Sequence, residues 1–172
     1  MQFIKRCTFL LALVGLSVFI ALPLFAGNEV GQAAEDFGLQ PAEGGNTVSL
    51  LDFKGKPTLV IFWATWCPPC RREIPDLKAI QKDYAAKGLQ MVSVAINFRE
   101  TREDVVRFKQ ANELPYMVLW DEGNKISDRY AVEGIPTVLL VDPQGIIRYR
   151  EHQIDRRLID MLDEMTKAPG KK

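Results

Sequence analysis

Hydrophobic and polar positions fall into distinct regimes along the chain. Residues 7–26, CTFLLALVGLSVFIALPLFA, form one charge-free apolar run directly after Lys5 and Arg6. About 20 helical residues cover the ~30 Å of a bilayer core, so the run is just long enough to span it. The basic pair in front predicts that the rest of the chain lies outside the cytoplasm. Two readings of residues 1–26 stay open. The length of the run favours an uncleaved signal-anchor in the inner membrane, and Pro23, Ala26 and Gly27 resemble the end of a cleaved signal peptide. Cys7 opens the apolar run instead of following it, which does not fit a lipoprotein, so it reads as a bystander. Residues 27–35, GNEVGQAAE, are small and polar and read as a linker.

From residue 36 to 168 the pattern is that of one folded domain, with 169–172 a frayed tail. Phe37–Gln40 and Thr47–Leu50 are short strand-like pieces around the turn-rich PAEGGN, which predicts an N-terminal β-hairpin. Leu51–Pro57 reads as a further turn. Thr58–Trp63, TLVIFW, is a continuous apolar run suited to a strand buried on both faces. From Pro68 to Lys87 the apolar residues Ile74, Leu77, Ile80 and Tyr84 recur at helical spacing, and Gly88 is a natural stop. Leu89–Ile96 is a second buried strand. Thr101–Ala111 is a helix with Thr101 as its cap and Glu103 and Asp104 in its first turn. Tyr116–Trp120 is a short strand, 124–130 a short helix and Thr137–Val141 a strand. Asp142–Gly145 turns the chain into a partner strand, Ile146–Arg150, and Asp155–Lys167 closes as a helix. Alternating strands and helices followed by a hairpin predict an α/β fold with a central mixed sheet flanked by helices.

Composition narrows the function. The 22 basic and 22 acidic residues of the 172-residue chain balance, which speaks against an electrostatic nucleic-acid binder. The leader carries only basic charges, so the domain itself is mildly acidic. A single histidine excludes a multi-His metal centre, and three cysteines are too few for a disulfide-stapled mini-fold.

The chemistry concentrates in Trp66-Cys67-Pro68-Pro69-Cys70, where the buried strand gives way to the helix. This spacing puts two sulfurs one helical turn apart. The first sits at a helix N-terminus, whose free N–H groups and dipole favour the thiolate that attacks in disulfide exchange. Cys67 therefore reads as an exposed nucleophile and Cys70 as a more buried resolving thiol. Pro68 and Pro69 suit a first turn, where missing N–H donors cost little. A zinc site lacks a second CxxC or a His pair. A purely structural disulfide across so short a loop would gain little.

With Pro75 five residues after Cys70, and with Ile135-Pro136-Thr137 before a strand, FWATWCPPC resembles the thioredoxin-fold oxidoreductases, and more narrowly the extracytoplasmic TlpA/ResA family. The resemblance covers about residues 36–167. It implies a thioredoxin fold, a thiol–disulfide oxidoreductase activity with no cofactor, and a cis Pro136 packed beside the active-site disulfide. It implies that Ile135 and Pro136 hold an extended substrate segment, with Trp66 as an apolar platform. Ile61 stands where thioredoxin has a buried aspartate, and Glu73 matches the acidic residue of the ResA-like branch that would manage protons. The implied partners are protein disulfides such as those of apocytochrome c, and a membrane thiol reductase of the DsbD/CcdA type. A Sco-like copper metallochaperone, using both cysteines and His152, is the alternative, although its cysteines are separated by three residues. A peroxiredoxin-like peroxidase fits less well, because its peroxidatic cysteine does not normally sit in a CxxC.

Overall fold

A computed structural model describes residues 28–167. The apolar run 7–26 and the tail 169–172 lie outside the described residues. Among the described residues no helix is long and apolar enough to cross a membrane.

Seven strands form one mixed sheet in the order β2-β1-β5-β4-β3-β6-β7. They are β1 (Gly38–Pro41), β2 (Val48–Ser49), β3 (Thr58–Trp63), β4 (Gln90–Ile96), β5 (Met117–Asp121), β6 (Thr137–Val141) and β7 (Ile147–Glu151). The helices are α1 (Pro68–Tyr84), α2 (Arg102–Ala111), α3 (Lys125–Arg129) and α4 (Arg156–Met165). β3, β4 and β5 run parallel, joined by crossovers through α1 and α2. β6 lies antiparallel to β3, and β7 antiparallel to β6. The β1–β2 hairpin attaches antiparallel to β5. This is the thioredoxin fold with an N-terminal hairpin, as the sequence implied.

Every residue of β3 is buried, because helices cover both faces of the sheet. Side chains alternate along it. Leu59, Ile61 and Trp63 join Leu77, Ile80, Val105, Leu158 and Leu162 from α1, α2 and α4. Val60 and Phe62 face the other way, toward Phe37, Leu50, Ile126 and Tyr130.

Helix ends follow local chemistry. Thr101 and Asp104 form a reciprocal capping box at α2, and the Asp155 side chain accepts from Leu158 N at α4. After Tyr84 the chain tightens into a 3-10 turn, then reverses at Gly88 with φ 100°. Leu50–Phe53, expected as the end of a strand and a turn, is a 3-10 turn capped by Ser49 and Asp52.

Residues 28–35 behave differently from the linker their composition suggests. Gly31 N donates to Ile147 O at 2.8 Å, Ile147 N to Gln32 O at 2.9 Å, and Ala34 N to Gly145 O at 2.9 Å. The segment thus covers the open edge of β7, a position that would otherwise expose unpaired backbone groups. Backbone pairing needs no apolar side chains, so composition gave no sign of it.

Candidate active site

β3 ends at Trp63, and four residues later α1 begins with Cys67 as its N-cap. The Cys67 backbone is extended, and its Sγ accepts from Cys70 N at 3.2 Å. A free N–H of the first helical turn thus points at the Cys67 sulfur, where it and the helix dipole stabilise negative charge. Pro68 and Pro69 occupy the next two positions and are exposed. Cys67 and Cys70 are joined as a disulfide. α1 continues through Pro75 as one helix.

The structure corrects one expectation. Cys67 is 2% exposed and Cys70 3%, so the two do not differ in exposure. The loop before β6 closes over Cys67, and the Ile135 carbonyl oxygen lies 3.6 Å from its Sγ. What distinguishes the sulfurs is the N-cap position of Cys67.

The Ile135–Pro136 peptide bond is cis, and Pro136 is buried against Cys70 in a small cavity. Ile61, Trp63, Glu73 and Tyr116 line the same cavity. Glu73 Oε1 accepts from Ile154 N at 2.8 Å, and Oε2 is buried with no partner among the described residues. Ile61 stands on β3 and Glu73 on α1, so the carboxyl reaches the space beneath Cys70 from the helix side.

Burial raises the Glu73 carboxyl above its ordinary range. The Ile154 amide opposes this, Asp76 adds to it, and Arg72 opposes it again. The unfolded chain therefore ionises first as pH rises, and the fold loses relative stability until Glu73 also ionises within it. Glu73→Gln should remove this loss. Urea midpoints from pH 4 to 7 should shift in favour of the variant with rising pH, and a pH-independent gap would return Glu73 to an ordinary surface role.

Three supports of the site were not legible beforehand. Glu100 accepts from Thr65 N at 3.0 Å and from the Thr65 hydroxyl, fixing the loop two residues ahead of Cys67. The Trp66 indole N–H donates to Phe98 O at 2.5 Å, and the two rings meet edge to face at 5.7 Å. His152 is exposed, and its Nδ1–H donates to Pro136 O at 3.0 Å, bracing the cis-proline loop from β7's end. The partners Glu100, Phe98 and His152 all lie far from the CxxC motif in sequence. Only the alignment of β4, β6 and β7 with β3 brings them together.

Comparison with known proteins decides the family. The model of the AhpC/TSA family matches residues 30–150, well over half of the chain. The chain belongs to the AhpC/TSA family. It is 41% identical over 123 residues to the thioredoxin-like protein YneN of Bacillus subtilis, covering 71% of each chain. It is 33% identical over 153 residues to the thiol–disulfide oxidoreductase ResA of Oceanobacillus iheyensis, covering 85% of this chain and 79% of that one. Among solved structures, the thioredoxin domain of a thiol–disulfide oxidoreductase from Bacteroides vulgatus superposes with a TM-score of 0.71 at 29% identity. That match covers 81% of this chain and 99% of the other.

Within the family the chain is a thioredoxin-fold thiol–disulfide oxidoreductase of the ResA type. The copper alternative finds little geometric support. His152 Nδ1 is engaged by the Pro136 carbonyl, and among the described residues no three His, Cys, Asp or Glu side chains cluster to hold a metal.

Proposed function

We propose that this oxidoreductase works outside the cytoplasm as a reductase of protein disulfides, tethered to the inner membrane or released from it according to the fate of residues 1–26. The observation that carries the mechanism is the Cys67 sulfur at the N-cap of α1, beside the cis-proline loop.

In the reduced enzyme, Cys67 attacks as a thiolate. Its Sγ forms a bond to one sulfur of the target disulfide, and the other target sulfur leaves as a thiolate. Glu73, beneath Cys70, accepts the Cys70 proton. The Cys70 thiolate then attacks the Cys67 sulfur and releases the second target thiolate. Two electrons pass from the enzyme dithiol to the target, and the two target thiolates take up protons. Trp66, Pro68 and Pro69 form the surface around the disulfide, and Ile135 with Pro136 align an extended target strand.

The resemblance of its motifs to the extracytoplasmic TlpA/ResA family implies apocytochrome c as the target class and a membrane thiol reductase of the DsbD/CcdA type as electron donor. The apolar run after Lys5 and Arg6 supports the location. Direction is read from the reduction potential. Equilibration with glutathione and dithiothreitol buffers should place the couple near thioredoxin, at about −270 mV. A potential above about −150 mV, nearer the strong oxidants, would overturn the reductase reading.

A further inference from the structure

Four large hydrophobic side chains are exposed among the described residues, and two of them, Trp66 at 40% and Phe98 at 46%, are in contact. They lie immediately beside the disulfide, since Trp66 precedes Cys67. The pair is held rather than loose, because the indole N–H is anchored on the Phe98 carbonyl.

An open groove continues from Trp66 between the loop after β4 and helix α2. Arg71, Arg99 and Arg107 reach it, and so do Glu100 and Asp104. The charges do not cancel evenly. Glu100 is spent on Thr65. Asp104 caps α2 and pairs with Arg107. Arg71 and Arg99 instead lie over aromatic rings, Arg71 5.5 Å from the Phe108 centroid and Arg99 4.9 Å from that of Phe98. Neither has an ion-pair partner among the described residues. A guanidinium stacked on a ring keeps its edge N–H donors available for a carboxylate.

We propose that this platform selects target proteins in which acidic residues flank the attacked cysteine, with an apolar side chain seated on Trp66 and Phe98 and carboxylates meeting Arg99 and Arg71. The inference rests on the reductase reading above and adds the substrate class. Complementary charge at an exposed rim steers encounter and sets preference more than it adds affinity.

The test uses the pre-reduced protein in single turnover with two disulfide peptides. They are identical except that aspartates or lysines stand within three positions of the cysteine on either side. Exposed charge contacts of this kind predict a rate constant about fivefold higher for the acidic peptide at low salt. The ratio should shrink toward one at 0.5 M salt, where screening acts within about 4 Å. Arg99→Glu should bring the ratio to about one or invert it. Equal rates for both peptides with the unaltered protein would overturn the preference. So would an equal loss on both peptides in Arg99→Glu, since that is the signature of a merely structural arginine. Failure to reduce either peptide or insulin would overturn the reductase reading itself, and the preference with it.

Discussion

Cys67→Ala abolishes reduction of insulin disulfides, whereas Cys70→Ser halts the reaction at a mixed disulfide on Cys67. The difference follows from the helix terminus. Cys67 caps α1 and receives the Cys70 amide on its sulfur, while the Cys70 side chain branches off within the first turn of the helix. Only the first position lowers the cost of a thiolate, and the thiolate is the attacking species. Without Cys70, nothing in the chain's active site resolves the intermediate, so the target stays attached. Intact-mass measurement after incubation with a disulfide substrate separates the cases. A persistent adduct on Cys70 in Cys67→Ser, with none on Cys67 in Cys70→Ser, would reverse the assignment. The same Cys70→Ser protein captures physiological targets for identification.

Tyr130→Ala should cost about 3–5 kcal/mol of folding stability, the range for deleting a buried aromatic ring. Tyr130 is fully buried at the C-terminal end of α3. Its ring meets Phe37 edge-on at 5.9 Å and Phe62 at 5.4 Å, joining the segment before β1 to the centre of the sheet. Its hydroxyl donates to the Glu35 carbonyl. Tyr130→Phe keeps the rings and removes one hydrogen bond, so it should cost only about 1 kcal/mol. Urea unfolding measures both. Near-equal, small losses would mean that the aromatic cluster contributes little, and that residues 28–37 are held mainly by their backbone pairing and by Arg129 and Arg150.

Glu73 and the cis-proline loop show how far a motif reaches without coordinates. The spacing Cys70-x-x-Glu73 places the carboxyl one turn along α1, and the helix delivers it to the cavity beneath Cys70. The family resemblance put Pro136 beside the disulfide, where it stands. The local pattern predicts an exposed Cys67 because a helix N-terminus is usually open, and the structure covers it because the Ile135 loop returns from 68 residues away.

The local pattern by itself determined the elements. A strand buried on both faces reads as an unbroken apolar run, an amphipathic helix as a 3.6-residue period, and a cap as Thr101 followed by Asp104. It also determined the redox chemistry, because a CxxC at a strand-to-helix junction carries its own electrostatics. Tertiary structure decided whatever depends on contacts distant in sequence. Strand order brings Glu100 to Thr65, Phe98 to Trp66 and His152 to Pro136. Residues 28–35 pair with the edge of β7 through backbone groups that every residue type shares. Such interactions leave no periodicity or composition in the chain, since their partners are chosen by the sheet and not by neighbours in sequence.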